Sequence, residues 1–214
     1  MKSVLVCNQK GGVGKSLIAD ELAFAMERCG TPCSFWDLDS QGGTIHETKE
    51  VKDAVVQIVD TPGALQRDLT KWMDAADIVV IPFRPTSRDI QPLLRMMDIA
   101  EDHAAGKPVL YVLNAWNRYK ASKDFQEWFT EQTAGMKNFH MQVVPQSERF
   151  VQASAAEVSV VEYDPRSQVA ASIKQVTNWV RAQLGLRPEQ VMRRKERKGI
   201  WTAKICSGTP RHGE

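Results

Sequence analysis

The sequence predicts an α/β fold: a doubly wound, mostly parallel sheet flanked by helices. Three observations point there. Short, nearly continuous apolar runs recur along the chain, as strands buried on both faces require. Amphipathic stretches of helical period separate them, the alternation that builds a parallel sheet by crossovers. A loop rich in glycine and lysine joins the first apolar run to the first amphipathic stretch.

The elements follow in order. "KSVLVCN" (2–8) is a buried strand. "SLIADELAFAMERCG" (16–30) is a helix with Leu17, Leu22, Ala25 and Met26 on one stripe and Gly30 as its stop. "PCSFWDLD" (32–39) and "VVQIVD" (55–60) are strands, the second followed by Thr-Pro-Gly. "LQRDLTKWMDAA" (65–76) is helical, and "DIVVIPF" (77–83) is a strand closed by prolines. "SRDIQPLLRMMDIAEDH" (87–103) is a helix that tolerates Pro92 in its first turns. "PVLYVLN" (108–114) is a strand, "KDFQEWFTEQTAG" (123–135) a helix and "FHMQVVP" (139–145) a strand. "SQVAASIKQVTNWVRAQLG" (167–185) is the last clear helix. One domain therefore spans 1–185, and 186–214 reads as a tail with one helical stretch over 188–198.

Composition narrows the function. The 214 residues are 43% hydrophobic and 25% charged, the balance of a globular protein. No run of 18 apolar residues exists, and the first strand is too short for a secretory signal, so a cytoplasmic place is expected. The four cysteines (Cys7, Cys29, Cys33, Cys206) have no zinc spacing, and the four histidines are scattered. The net charge of +2 is uneven: from Arg187 onward eight Lys or Arg stand against three Asp or Glu. The body is mildly acidic and the tail is basic.

The chemistry concentrates in "CNQKGGVGKS" (7–16). It departs from G-x-x-x-x-G-K-[ST] at the first glycine and fits K-G-G-x-G-K-[ST] throughout. Gly11, Gly12, Val13 and Gly14 can turn successive backbone N–H groups toward one anion, and the following helix adds the partial positive charge of its N-terminus. Lys15 reaches the β/γ-phosphates and the Ser16 hydroxyl ligates Mg²⁺. Asp39 and Asp60 end the second and third strands, and ligands of parallel sheets sit beyond the carboxyl ends of strands. Both carboxylates are thus placed to hold Mg²⁺ through its waters. Asp37 reads as support for that shell. Gly63, in Asp60-Thr-Pro-Gly, can sense a γ-phosphate through its N–H.

These motifs resemble the ParA/MinD family of P-loop NTPases with a deviant Walker A loop (the SIMIBI type). The likeness spans about 3–170 and rests on "KGGVGKS", "DLDSQGG", "DTPG", "ADIVVIPFRPTSRDIQPL" and "VVPQSERF…YDPRS". It implies ATP and Mg²⁺ as ligands, slow ATP hydrolysis and an ATP-bound homodimer. It implies that Lys10 crosses the dimer interface to the nucleotide of the other subunit and that Asp39 orients the attacking water. It implies that Asn114 contacts adenine and that the loop at Pro145 covers the base. The Asn-Lys-x-Asp pattern that reads guanine is absent. Leu17 stands where many members carry a second threonine near the α-phosphate, Ser40 replaces a proline, and the stretch from Gly43 to Val55 is short. The sheet begins at residue 2, without a preceding helix-turn-helix, as in the small ParA class.

Three functions remain open at this point. One is a plasmid or chromosome partition ATPase that binds DNA non-specifically through Arg149, Arg166, Lys174 and Arg181 and the tail, associates with the nucleoid when ATP-bound, and is stimulated by a cargo- or centromere-binding protein. The second is a membrane-positioning ATPase of the MinD type, disfavoured because Val191, Met192, Ile200 and Trp201 make a poor apolar stripe. The third is an ATP-dependent small-molecule ligase, which has no need of Lys10.

Overall fold

The computed structural model describes residues 1–39, 42–63, 68–136 and 139–189. Six strands form one sheet: β1 (Lys2–Val6), β2 (Cys33–Asp37), β3 (Val56–Asp60), β4 (Ile78–Phe83), β5 (Val109–Trp116) and β6 (Phe139–Pro145). Their order is β2-β3-β1-β4-β5-β6, and every neighbouring pair is parallel. The predicted doubly wound sheet is therefore present, with all six strands where the apolar runs put them.

Alternation along each strand divides the core into two layers. Val4 and Val6 of β1 face one side, with Ile58, Val80 and Val112 of neighbouring strands. They meet Ile18, Leu22 and Met26 of α1 (Lys15–Arg28) and Ile173, Val176 and Val180 of α7 (Gln168–Gln183). Leu5 and Cys7 face the other side, with Val79, Ile81 and Tyr111. That layer is closed by Met73 of α2 (Leu69–Ala75), Leu93 and Met96 of α3 (Ile90–His103), and Phe125 and Phe129 of α4 (Lys120–Gln132). A 3-10 turn, Ser87–Asp89, precedes α3.

Two short helices escape the sequence pattern. These are α5 (Arg149–Ala155) and α6 (Val160–Tyr163), of 7 and 4 residues. Ser159 starts α6 by accepting from Val161 N. The buried Glu21 of α1 ties this corner down by accepting from Val160 N at 2.8 Å and from the Ser159 hydroxyl. Burial raises the pKa of Glu21, while the bonds from Ser159 and Val160 act against that shift.

Residues 186–189, expected as the start of the tail, are held on the body. Glu189 pairs with Arg28 through two contacts of 2.7 and 3.2 Å, and its N–H donates to Asn178 Oδ1 at 2.7 Å. Leu186 packs on the first core layer. The remainder of the tail, including its cation cluster and most of the helical stretch expected over 188–198, lies outside the described residues.

The connection after β2 is docked on α1. Asp20 accepts from Ile45 N (2.9 Å), His46 N (3.0 Å) and His46 Nδ1 (2.8 Å). The His46 ring lies against Phe24 and Phe35, and its Nε2 is 3.7 Å from Glu27, an electrostatic contact rather than a hydrogen bond. Burial drives this imidazole toward the neutral form, but Asp20 and Glu27 outweigh it and carry the pKa from 6.5 to about 9. Its charge thus favours the fold fully below pH 6.5, and that contribution is lost as pH rises through about 9. Chemical denaturation across this window should show falling stability in the native chain, and His46→Gln should flatten the fall.

Candidate nucleotide-binding site

The loop from Cys7 to Ser16 leaves the carboxyl end of β1 and runs into α1. Asn8 braces its front: Nδ2 donates to the Pro82 carbonyl of β4 (2.8 Å), and Oδ1 accepts from Lys10 N (2.9 Å). Gly14 closes its back at φ 100°, in the left-handed region that glycine enters without steric cost. A Cβ there would also stand 2.2 Å from Asn114 Nδ2. Asn114 in turn donates to the Val13 carbonyl (2.9 Å) and accepts from Ala115 N (2.9 Å). It therefore supports the loop's backbone, and one of its amide hydrogens remains for a ligand. Gly11 and Gly12 are exposed at the mouth, Val13 is buried, and Ser16 and Leu17 are half-buried.

Lys15 is the electrostatic centre. It is 6% exposed, and its ammonium donates to the Lys10 carbonyl at 3.3 Å. Burial pushes its pKa down, while the charges of Asp60 and Asp39 pull it up. The Cys7 thiol, buried beneath the loop, is itself pushed up to about 12 by desolvation.

Asp60 is fully buried at the end of β3, in register with Val6 of β1 and Asp37 of β2. Among the described residues neither of its carboxylate oxygens has a hydrogen-bond donor in good geometry. Burial raises its pKa from 3.8 to about 6; Ser16 and Lys15 oppose that shift, and the like charges of Asp37 and Asp20 add to it. Asp37 is occupied with shaping the loop, accepting from Asp39 N (2.8 Å) and Thr44 Oγ1 (2.7 Å). A Cβ on Gly43 would lie 3.3 Å from Ser16 Oγ, so this loop returns against the start of α1.

Hard oxygen donors of Ser16, Asp60 and Asp39 suit Mg²⁺, and the orphaned oxygens of Asp60 are groups such a cation would satisfy. Among the described residues no group of three or more His, Cys, Asp or Glu can hold a metal ion. Mg²⁺ would accordingly complete its shell with water and phosphate, its usual habit.

Lys10 stands apart from Lys15. Its ammonium is 2.6 Å from Asp89 Oδ1, in the turn between β4 and α3. The sequence names Lys10 but not this partner; adjacency of β1 and β4 creates the pair. Pro145 ends β6 opposite Trp116 of β5, and Gln146 N donates to the Trp116 carbonyl at 2.7 Å. Asn114 and Pro145, the residues expected to meet the base, thus lie toward the carboxyl ends of adjacent strands. A concavity of about 600 Å³ is lined by Glu148, Arg149, Gln152, Tyr163 and Asp164 and includes no residue of the phosphate loop. Convergent charge, rather than volume, marks the candidate site.

The four body cations expected to meet DNA stand in different surroundings. Arg149 at the start of α5 pairs with Asp164. Arg166 is exposed before α7, and Lys174 is half-buried in its middle. Arg181 must be withdrawn as a DNA contact. It is 4% exposed and donates to the Arg187 carbonyl (2.9 Å) and Thr31 Oγ1 (3.2 Å), so it holds α7 and the segment after it together. A sequence count of cations cannot register that burial.

Residues 4–160 match the CobQ/CobB/MinD/ParA nucleotide binding domain. The Protein ParA of Rhizobium radiobacter is 30% identical over 114 residues, covering 42% of this chain and 51% of that protein. The chain thus spans about half the length of this relative. Among solved structures, an ATP complex of a Cyanothece McdA variant superimposes with a TM-score of 0.67 at 15% identity, covering 90% of this chain and 99% of the other. The cell division ATPase MinD of Pyrococcus furiosus gives 0.61 at 15% identity, covering 85% and 98%. Cobyrinic acid a,c-diamide synthase of Mycobacterium smegmatis, with ADP and magnesium, gives 0.59 at 16% identity, covering 90% and 99%. These structural likenesses speak to the fold, whereas the family match covers most of the chain and includes the loop and both strand-end carboxylates: the chain belongs to the CobQ/CobB/MinD/ParA nucleotide-binding family.

Proposed function

We propose that this chain is a ParA-like ATPase that binds ATP with Mg²⁺, dimerises on it, and uses the ATP-bound dimer to position DNA or another cargo. The observation that carries the reading is the pair of lysines in one loop. Lys15 is buried among carboxylates, as a phosphate-holding cation must be, and Lys10 is a second cation that the cis site does not need. The McdA neighbour bound to ATP and the synthase neighbour bound to ADP and magnesium support the same ligands here.

In the proposed mechanism the loop N–H groups of Gly11–Gly14 and the N-terminus of α1 cradle the phosphates. Ser16, Asp60 and Asp39 would hold Mg²⁺, directly or through its waters, and the cation would supply positive charge against the triphosphate. Asp39 orients a water, and Lys10 of the opposite protomer stabilises charge that develops in phosphoryl transfer. Asn114 and the Pro145 loop bound the base. A cargo- or centromere-binding protein accelerates hydrolysis and resets the dimer. Non-specific DNA binding falls to Arg149, Arg166, Lys174 and the tail cations Arg193, Arg194, Lys195, Arg197 and Lys198, which would put the ATP form on the nucleoid. No helix among the described residues is long and apolar enough to cross a membrane.

Light scattering tests the assembly: the mass should double with ATP and with a non-cleavable analogue, and stay that of one chain with ADP. The same mass in all three states removes the reading. Lys15→Ala should weaken ATP binding by roughly two orders of magnitude, measured by titration of a fluorescent analogue. Asp60→Asn should raise the unfolding temperature of the nucleotide-free chain by a few degrees, because a buried charge is removed, and should abolish the gain in ATP affinity on adding Mg²⁺. Fluorescence anisotropy of a labelled duplex should show the salt slope of DNA binding falling by about one in each of Arg166→Gln and Lys174→Gln, as for one phosphate no longer neutralised. Arg181→Gln should instead lower stability.

A further inference from the structure

One aspartate of α1 gathers the short stretch after β2. Asp20, 4% exposed, accepts from Ile45 N at 2.9 Å, from His46 N at 3.0 Å and from His46 Nδ1 at 2.8 Å. The His46 ring packs against Phe24 of α1 and Phe35 of β2. Three residues on, Lys49 and Phe35 exchange two backbone bonds of 2.8 and 2.9 Å, so the stretch runs antiparallel along the edge of β2. Asp37 N donates to Thr48 Oγ1 at 3.0 Å, and Val51 N to Ser34 Oγ at 2.9 Å. Residues 45–51 are therefore fixed to α1 and to β2, with His46 at the junction.

The near end of the same stretch meets the residues expected to hold Mg²⁺. The Thr44 hydroxyl stands 2.8 Å from the His46 carbonyl and 2.7 Å from Asp37 Oδ2. Asp37 Oδ1 in turn accepts from Asp39 N at 2.8 Å. A Cβ on Gly43 would lie 3.3 Å from Ser16 Oγ. Direct contacts thus run from His46 through Thr44 and Asp37 to Asp39, and the backbone at Gly43 lies against Ser16. Among the described residues between β2 and β3 there is no helix or further strand to set this path. Side-chain contacts set it instead.

We propose that Asp20 and His46 are positioning residues for the Mg²⁺ site: a clip on α1 that sets the approach of Asp39 and holds the backbone at Gly43 against Ser16. The inference rests on the proposed use of Mg²⁺ with ATP. Neither residue needs to touch metal or nucleotide; both act through Thr44, Asp37 and Gly43. Charge makes the clip firm. Asp20 and Glu27 of α1 face the two ring nitrogens. Cys33 of β2, with Glu47 and Lys49 of the stretch itself, lines the same cavity of about 370 Å³. Burial opposes the imidazolium, but Asp20 and Glu27 outweigh it and carry its pKa to about 9. Above that pH a neutral ring can keep its Nδ1 hydrogen on Asp20, yet it loses the attraction of both carboxylates. The clip is therefore firm below pH about 9 and loosens as pH rises through that value.

The test compares the full chain with His46→Gln, which removes the cation, and with Glu27→Gln, which removes one of its two counter-charges at a largely exposed position. Titration with a fluorescent ATP analogue reads two quantities: the affinity in EDTA, and the Mg²⁺ concentration that gives half of the gain in affinity. At neutral pH, His46→Gln should raise that Mg²⁺ concentration by roughly tenfold, the lower end of what losing an outer-shell partner costs a metal site, and should leave the EDTA affinity unchanged. In the native chain the Mg²⁺ requirement should climb as pH rises through about 9. The climb should begin at lower pH in Glu27→Gln and be absent in His46→Gln. A merely structural role would weaken binding equally with and without Mg²⁺ and would give no step in pH. An unchanged Mg²⁺ requirement in His46→Gln overturns the positioning role. Should that variant not fold, the Glu27→Gln profile decides: a native step that it does not shift, or no native step, overturns the role as well. If the native chain gains no ATP affinity from Mg²⁺, the proposed use of the metal fails first, and the positioning role goes with it.

Discussion

One buried ammonium organises the carboxyl edge of this sheet. Lys15 lies beneath its loop with carboxylates at the ends of β2 and β3, and with Asp20 one turn further along α1. Burial of Lys15 and Asp60 places these charges where they are screened less than in bulk water. Fully ionised, the local balance is negative, and burial raises Asp60 toward neutrality as a consequence. That balance suits a divalent cation, and the one cation, the backbone N–H groups and the helix end behind them suit a polyphosphate, which supports the proposed ligands.

The surrounding structure keeps those charges in place. Parallel pairing of β1 with β3 and β4 brings three loops to one edge, so Asn8 can anchor on Pro82 and Lys10 can meet Asp89. The short connection after β2 is pinned at Asp20 by three donors and shaped by Asp37, which fixes the approach of Asp39. Glu21, a residue further on, fastens the corner at Ser159 and Val160. One turn of α1 thus supports both the loop after β2 and the corner at α6.

The strands are readable in the sequence because burial on both faces leaves nearly unbroken apolar runs, and the loop is readable because its glycines and lysines have a direct chemical use. Other features are not. Helices α5 and α6 are too short to establish a period, and Ser159 caps a helix of one turn. The Lys10–Asp89 pair joins residues far apart in the chain and follows only from strand order. Arg181 shows the converse error: a cation at helical spacing looks available to a polyanion, yet its guanidinium is enclosed by Arg187, Thr31 and Met26. Asn114 is intermediate. Its place at a strand end is legible, but its grip on the Val13 carbonyl requires the loop's geometry.

The central claim is that the two lysines have separate partners, one in its own protomer's phosphate site and one in its neighbour's. A crystal structure of the chain with Mg²⁺ and a non-cleavable ATP analogue tests this most directly. The account predicts Lys15 on the phosphates of its own protomer, with Lys10 off Asp89 and within hydrogen-bond distance of the phosphates across a two-fold interface. A nucleotide bound to a protomer whose Lys10 still sits on Asp89, with no second chain facing the site, would contradict it.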